Sequence, residues 1–511
     1  MAAKSMRKGT GAFELLSFVL LMVFFVGIAL IDGPKWCVDT PSYVDMDFSR
    51  EPVYPLFLLG LRTLFERLNI TSVAYELPAY LTMAVVLQSI LWVVAIHRLG
   101  IYIYDVCSKA MSHGKARLLM FIAELLQVAV AFLNRFAAKR GAMYSESLMT
   151  ESLAMPLFVL FTILLLRSFE DYKISNCIKL FLMAVLISSV RKQMLIVVLM
   201  WGFSSFVLHL LVKSYRSLKK FSYTVIFAVL TIVAVSLFDR GYNQAVRGVF
   251  ATHTGNSKGG LCTVLYTAVP EDVSLFDGDD KYPEIGSLFT KIMDECQKQQ
   301  LTIDYAEGYE RGAGQKIATS NWTNVTSHYA DSYDVIGFDI VQPMCDEYVA
   351  QHYPELEGAE AKLMEDVIEK ELFQTLLSGV IAKVFGGEGK DALYVLKANV
   401  LKAFVISNAN ISPAVLIKIS LIIYGIYLAL FVALMVRTIQ LTKKVPNDQT
   451  IENLAVKRKM LIMGLVVMAG LAINCVVTGS MIFPQPRYMC YSMGLFYLSM
   501  YCNLVGIYNS H

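Results

Sequence analysis

The chain has 511 residues, 56% of them apolar, and its mean hydropathy is +0.52. Soluble domains contain roughly 45 to 50% apolar residues, so this composition argues against an ordinary soluble protein and indicates a polytopic membrane protein. The formal net charge is only +3. A charge this small argues against a nucleic-acid partner, which would require a strongly basic chain or segment.

The first apolar run extends from about Phe13 to Ile31. It is long enough to cross roughly 30 Å of hydrocarbon at about 1.5 Å per residue. Three basic residues precede it, which predicts a cytoplasmic N-terminus by the positive-inside rule. Because the run is long, lacks a small-residue cleavage site and is followed by further apolar runs, we interpret it as a transmembrane helix rather than a signal peptide.

Together with the first run, the later apolar runs predict about ten spans with both termini on the cytoplasmic side. A shorter amphipathic segment at 56–68 is predicted to lie at the membrane interface. Cations at Arg135, Lys139 and Arg140 fall in an inferred outer loop, so either the run 180–211 is divided wrongly or these cations meet an anionic group. The later runs lie at 79–104, 123–132, 153–166, 180–190, 195–211, 223–238, 411–436, 461–477 and 489–508.

A long polar insertion interrupts the apolar runs between Asp239 and Ala409 and holds 26 of the 42 acidic residues. Its length is within the usual range of an independent domain, so we expect a soluble extracytoplasmic cap of mixed α or α+β structure, with helices near 360–384 and 391–405. The chain then divides into a membrane domain at 1–238, whose outer loop spans 32–78, a cap at 239–409, and a membrane domain with the last three spans at 410–511.

The nine cysteines include no CxxC pair and no metal-ligand spacing, which argues against a zinc site or a thioredoxin-like motif. Four of them are predicted to lie on the extracytoplasmic side of the membrane, where an oxidising compartment would allow disulfides. These four either remain unpaired or form one or two disulfides, and their spacing does not indicate which pairs would form: Cys37, Cys262, Cys296 and Cys345.

Charged side chains gather at the predicted outer ends of several spans. Such clustering predicts a site at the outer membrane surface, but span ends also tolerate charges that have no function, so both interpretations stay open. The residues concerned are Asp39, Asp45 and Asp47 after the first span, Glu146 and Glu151 before the fourth, Arg191 and Lys192 after the fifth, and Arg487 before the last.

The order of the motifs at these span ends resembles the GT-C type of membrane glycosyltransferase, which depends on polyprenyl-phosphate sugars. The resemblance covers about two thirds of the chain, while the cap departs from the family pattern and leaves the acceptor open. It rests on Asp39 with Tyr43, on Arg50-Glu-Pro-Val-Tyr-Pro55, on Ser145-Glu-Ser-Leu-Met-Thr-Glu151, on Arg191 and on Pro486-Arg-Tyr488.

The resemblance implies a GT-C-like bundle and transfer of a sugar from a polyprenyl-phosphate carrier to an extracytoplasmic glycan, lipid or protein, with inversion at the anomeric carbon. It also implies that Asp39 is the catalytic residue. A carboxylate there can take the proton of an acceptor hydroxyl, and burial at the membrane boundary is expected to raise its pKa.

The leaving group of this reaction would be a lipid phosphate, which requires cations. Arg191, Lys192 and Arg487 are the candidates for phosphate binding. Pro486 suits the first turn of a helix, so Arg487 is expected to begin at the membrane surface and to point into the assembly.

The remaining candidates are assigned to substrate binding, and each has a structural alternative. The two glutamates among them either bind sugar hydroxyls or form ion pairs with the cations near Arg135, and the tyrosines either pack on a sugar or lie in the interfacial aromatic belt. A weaker alternative is that Asp45 and Asp47 together bind a divalent cation, and no other cofactor is expected. The candidates for substrate binding are Tyr43, Arg50, Glu51, Tyr54, Glu146, Glu151 and Tyr488.

Two other functions remain open on the sequence alone. One is a polysaccharide polymerase or ligase that uses a lipid-diphosphate glycan, and the other is a transporter, which would require polar groups near the bilayer midplane. The expected partners are the lipid-linked sugar donor, the acceptor and membrane lipids, without nucleic acid. The expected location is a bacterial plasma membrane, with the endoplasmic reticulum as the alternative.

Overall fold

The computed structural model describes residues 10–136, 141–278, 281–312, 322–409, 414–442 and 448–508. Helices account for nearly all of the regular structure in these residues. Ten of the helices are long and apolar enough to cross a membrane. The prediction of an all-α, multi-pass membrane protein with about ten spans is therefore confirmed for the part of the chain that the structure describes.

The helices before the cap form most of a bundle, in which neighbouring long helices pack against each other. A short antiparallel strand pair, β1 (Val73–Ala74) and β2 (Leu77–Pro78), precedes the second long helix. The helices are α1 (Thr10–Asp32), α2 (Thr40–Val44), α3 (Val53–Arg67), α4 (Ala79–Cys107), α5 (His113–Phe136), α6 (Glu151–Glu170), α7 (Ile174–Val190), α8 (Ile196–Leu211) and α9 (Leu218–Arg247), with 3-10 turns at Tyr144–Glu146, Lys192–Leu195 and Lys213–Tyr215.

The long helices form because an apolar run in lipid has to satisfy its backbone hydrogen bonds internally. Polar side chains then link neighbouring helices, since lipid offers them no other partners. The hydroxyl of Ser17 on α1 donates to Glu124 on α5 at 2.5 Å, and Nδ1 of His97 on α4 lies 3.3 Å from the same carboxylate. Nε1 of Trp92 on α4 donates to the carbonyl of Ser152 on α6 at 2.9 Å.

The cap has a buried core of its own, and the regular secondary structure among its described residues is helical. Helix α11 shows why: the side chains Ile285, Leu288, Phe289, Ile292, Met293 and Cys296 lie on one helical face and are buried. All nine cysteines of the chain are thiols, and the three in the cap are buried. The cap helices are α10 (Lys258–Thr267), α11 (Ile285–Lys298), α12 (Trp322–Asp334), α13 (Gln342–His352) and α14 (Gly358–Phe385), with 3-10 turns at Pro270–Phe276 and Ile303–Tyr305 and a π-helical segment at Val335–Val341.

Five helices follow the cap, and the first of them belongs to two cores. Tyr394 and Val395 of this helix pack in the cap core, whereas Ala403 and Ile406 pack in the core of the bundle. The predicted boundary at Ala409 therefore assigns to the cap a helix that the structure shares with the bundle. The helices are α15 (Lys390–Ala409), α16 (Ala414–Thr442), α17 (Asp448–Met481), α18 (Pro486–Met489) and α19 (Met493–Tyr508), with a 3-10 turn at Cys490–Ser492.

The ten long apolar helices are not the ten predicted runs. The run predicted at 180–190 is the shorter helix α7, and α15, predicted as part of the soluble cap, is among the ten. Helix α15 has one of the two lowest mean hydropathies among the ten, and its first half packs in the cap core. A hydropathy pattern does not reveal this division, because both halves bury apolar residues.

The contact between α15 and α17 leads to a test of the shared helix. A Cβ atom on Gly479 of α17 would lie 2.9 Å from the backbone of Val400 on α15. We expect Gly479→Ala to push the two helices apart and to lower the free energy of unfolding by about 1 to 3 kcal/mol, measured as thermal melting in detergent. Gly425→Ala on α16 is the control, because a Cβ there meets open space. Equal melting of the two variants would contradict the close contact.

Candidate functional site

The loop after α1 is held against the segment before α6 by backbone pairing. The Lys35 N–H donates to the carbonyl of Glu146 at 3.0 Å, and the Leu148 N–H donates to the carbonyl of Lys35 at 3.0 Å. The buried hydroxyl of Thr40 donates to the carbonyl of Leu148 at 2.9 Å. These contacts fix the position of Asp39, which lies between Lys35 and the short helix α2.

Asp39 stands at the N-cap position of α2, but its side chain does not cap the helix. Its Oδ1 accepts from Nη2 of Arg50 at 2.9 Å, and its Oδ2 accepts from Nη1 of Arg487 at 2.8 Å. The prediction of a raised pKa is wrong. Burial does raise the pKa of Asp39, but the charges and hydrogen bonds of Arg487 and Arg50 together outweigh burial and hold this pKa below its ordinary value.

Arg50 is oriented by the loop that contains Asp39. Its Nε donates to the hydroxyl of Ser42 at 2.7 Å, and that hydroxyl donates to the carbonyl of Asp39 at 2.6 Å. The guanidinium also lies over the ring of Tyr43, 4.8 Å from its centroid. The Tyr43 ring therefore supports the guanidinium that donates to Asp39.

Arg487 lies in the first turn of α18 after Pro486, as the sequence predicts. Its Nη2 donates to the hydroxyl of Tyr488 at 2.8 Å, and its Nε donates to Oε1 of Gln485 at 3.0 Å. The same Nε lies 3.9 Å from Oε1 of Glu151, which is fully buried. Arg487 thus contacts both carboxylates of the site.

Arg191 is the third arginine of the site and lies in the segment between α7 and α8. Its Nη1 lies 2.5 Å from Oε1 of Glu151 and donates to the hydroxyl of Thr150 at 3.1 Å. The guanidinium lies over the ring of Tyr488, 4.7 Å from the centroid, and Arg487 lies over this ring at 4.8 Å. One tyrosine ring therefore supports two cations by cation–π interaction.

Arginines outnumber carboxylates among the ion-paired side chains of the site. Three guanidinium groups, those of Arg50, Arg191 and Arg487, share the carboxylates of Asp39 and Glu151. Lys192 is exposed beside them, and its backbone N–H donates to Oε1 of Glu51 at 2.6 Å. A pocket of about 270 Å³ opens beside Asp39 and Arg487. Its lining combines charged side chains with apolar ones: Lys35, Trp36, Cys37, Val38, Asp39, Ser147 and Arg487.

Several predicted residues lie outside this group. The buried hydroxyl of Tyr54 donates to Gln88 at 2.9 Å. The carboxylate of Asp47 accepts from the N–H and hydroxyl of Ser49, and Asp45 is exposed. Among the residues that the structure describes, no group of three histidine, cysteine or acidic side chains is arranged to hold a metal ion.

Glu146 lies apart from the group and pairs with a cation from the inferred outer loop. It is buried, and its Oε2 lies 3.7 Å from Nη2 of Arg135, which also contacts Asp32. This favours the structural interpretation of Glu146 over contact with a sugar. Lys139 and Arg140, named with Arg135 in the sequence, lie outside the described residues.

Sequence reasoning missed the residues that connect the predicted ones. The Thr150 hydroxyl lies between Tyr43 and Arg191, and Gln193 joins Arg191 to the α17 residue Asn474 and to the Tyr488 carbonyl. Both stand next to predicted residues in the sequence, which is a signal that could have found them.

No protein-family model, curated protein or solved structure matches the chain. The class of protein therefore has to be argued from the geometry of the site and from the bundle that positions it.

The double ion pair of Asp39 predicts a pH-dependent loss of stability. Its folded-state pKa lies below the unfolded value, so the stability it contributes is present above about pH 4 and is lost as the pH falls through the folded pKa. We expect Asp39→Asn to lower the free energy of unfolding at pH 7 by about 1 to 3 kcal/mol, because two guanidinium groups lose a charged partner.

The measurement is thermal melting in detergent from neutral pH down to about pH 3, where the difference between wild type and Asp39→Asn should shrink as the wild-type carboxylate is protonated. Asp45→Asn, at an exposed carboxylate of the same loop, is the control and should melt like wild type at every pH. A difference that stays constant with pH would show that Asp39 does not contribute through its charge.

Proposed function

We propose that the chain is a membrane glycosyltransferase that moves a sugar from a polyprenyl-phosphate carrier to an acceptor outside the cytoplasm. The observation that carries the proposal is Arg487, which is held at the start of α18 and lines a pocket at the end of the bundle, next to a carboxylate. The membrane of a bacterium is the proposed location, with the endoplasmic reticulum as the alternative.

The cations of the pocket suit a phosphate group. A guanidinium can bind two phosphate oxygens at once, and Arg487 turns Nη1 toward the pocket residue Asp39. Lys35 also lines the pocket, and Arg191 supports Arg487 through their shared contacts with Glu151 and Tyr488. A phosphate monoester or diester placed here would meet more positive than negative charge.

The apolar wall of the pocket suits a lipid chain. Trp36 is 48% exposed and Val38 is 99% exposed, although both are apolar and both lie directly after a membrane-spanning helix. A pocket of about 270 Å³ is smaller than a whole lipid-linked sugar would fill. The proposal therefore places the phosphate and the sugar in the pocket and the first isoprene units along Trp36 and Val38.

The proposed reaction is one displacement at the anomeric carbon. The acceptor oxygen forms a bond to this carbon while the bond from the carbon to the phosphate oxygen breaks, and the electron pair leaves with the lipid phosphate. Arg487 stabilises the charge that grows on this phosphate. The leaving group is already a weak base, so the reaction requires a proton acceptor but no carboxylic acid to protonate the leaving oxygen.

Binding of a lipid phosphate tests the proposed donor site. Farnesyl phosphate is the probe, and the fluorescence of Trp36 reports binding, with Trp36→Phe to identify the signal. We expect Arg487→Ala to weaken binding about tenfold to a hundredfold, since hydrogen bonds to charged groups contribute about 1.5 to 3 kcal/mol. Arg487→Lys should bind with intermediate affinity, because it keeps the charge and loses the paired geometry.

The control for this experiment is Arg62→Ala, on helix α3, where the guanidinium lies 4.0 Å from Glu66 and away from the pocket. It should bind the probe like wild type. Equal affinities of wild type and Arg487→Ala would rule out the phosphate role of Arg487 and, with it, the observation on which the proposed function depends.

The proposal also requires the pocket to face away from the cytoplasm. In a variant without native cysteines, Val38→Cys should react with a membrane-impermeant maleimide added to intact cells, because the side chain at this position is 99% exposed. Ser112→Cys, at an exposed position between α4 and α5, should react only after the membrane is permeabilised. The reverse pattern would place the pocket in the cytoplasm.

A further inference from the structure

The proposed reaction requires a proton acceptor, and Asp39 is poorly suited to that task in this structure. Both of its carboxylate oxygens accept hydrogen bonds from arginines, and the pKa of Asp39 lies below its ordinary value although burial raises it, because Arg487 and Arg50 lower it further. A carboxylate stabilised in its charged form in this way is a weak base. Glu151 is no better placed, because it contacts Arg191 and Arg487.

The cap supplies another carboxylate close to this group. Asp334 is the last residue of α12 and is exposed, and the charges of Arg487 and Asp39 both act on its carboxylate. The preceding residue, Tyr333, packs its ring against Phe483, with 4.9 Å between the ring centroids. Phe483 lies in the short connection that leads directly into α18, so the end of α12 is held near Arg487.

The segment that holds Asp334 is closely packed. The π-helical segment Val335–Val341 follows it directly, and a Cβ on its Gly337 would lie 3.0 Å from Sγ of Cys262 on α10. Helices α10 and α12 are also joined by the hydroxyls of Thr263 and Tyr329, which lie 2.6 Å apart. A π-helical turn is rare and often occurs at functional sites, and here it joins α12 to α13 without a break, directly after Asp334.

Asp334 has the properties of a base that Asp39 lacks. Among the residues that the structure describes, its carboxylate is in no ion pair or side-chain hydrogen bond, although its backbone belongs to the helix. Asp334 is exposed but partly desolvated by its neighbours, and this partial burial raises its pKa. Arg487 lowers the pKa, the nearby carboxylates of Asp39 and Asp339 raise it, and the net result lies above the ordinary value. A carboxylate with a raised pKa and free oxygens takes a proton more readily than one held by two guanidinium groups.

We propose that Asp334 accepts the proton of the acceptor hydroxyl in the transfer reaction, while Asp39 holds Arg50 and Arg487 in position. The inference rests on the proposed glycosyltransferase function. As the acceptor oxygen bonds to the anomeric carbon, its proton moves to a carboxylate oxygen of Asp334 and the electron pair of the broken bond leaves with the lipid phosphate. The cap thereby contributes a group to the reaction.

Azide distinguishes this role from a structural one, because an azide ion attacks carbon without losing a proton. The donors are radiolabelled undecaprenyl-phosphate and dolichyl-phosphate hexoses, and the acceptors are host-membrane glycans or sodium azide. We expect Asp334→Asn to lower transfer to the hydroxyl acceptors by about 10² to 10⁴. Transfer to azide should stay near the wild-type rate. Asp331→Asn, at an exposed aspartate one turn earlier on α12, is the control and should behave like wild type.

Each other outcome decides between the alternatives. Undiminished transfer to hydroxyl acceptors by Asp334→Asn would overturn the role of Asp334 and leave the proposed function intact. If Asp334→Asn loses transfer to both acceptors, the role of Asp334 as proton acceptor is also overturned, because such a loss shows a structural role. Arg487→Ala should lose transfer to both acceptors in any case. If wild-type protein with an intact melting transition consumes none of the donors, the proposed function itself fails.

Discussion

The arrangement of the site depends on one carboxylate that is shared by two arginines. Asp39 joins Arg50, in its own loop, to Arg487, which is 448 positions away in the sequence. A partly buried charge is costly to leave without a partner, and removing one member of such a group leaves the other charges without a partner. The first loop and the start of α18 are therefore held together by charges that cannot be removed one at a time without cost.

This arrangement also limits which ligands can bind. An anion that approaches Arg487 has to compete with Asp39 and with Glu151, which already contact the same guanidinium. A weakly charged or neutral molecule gains little from the arginine beside these carboxylates. A phosphate, with more charge and more acceptor oxygens than one carboxylate, is suited to this competition. The same carboxylates that orient the arginine thus exclude weaker ligands from it.

The sequence predicted the bundle well because lipid imposes a simple rule on it: an apolar run of sufficient length becomes a helix. It was less reliable at α7 and α15, where length and shared burial decide the outcome. The charged residues that meet around Asp39 could be named from the sequence because they stand at predicted span ends. Their pairing could not, and the pKa of Asp39 was predicted in the wrong direction because no pattern in the sequence shows that Arg50 and Arg487 converge on it.

Asp334 could not be found from the sequence, because it is one of many acidic residues in the cap and only the packing of α12 sets it apart. The cap itself has a further consequence for how molecules reach the site. It is attached through α15, which lies in both cores, and through Phe483, which packs in the cap core from the connection between α17 and α18. These contacts join the cap to the bundle at separate places, so under the proposed glycosyltransferase function a donor and an acceptor would enter from the side, between the cap and the ends of the helices. For a molecule dissolved in the bilayer, that entrance lies in the plane in which it already diffuses.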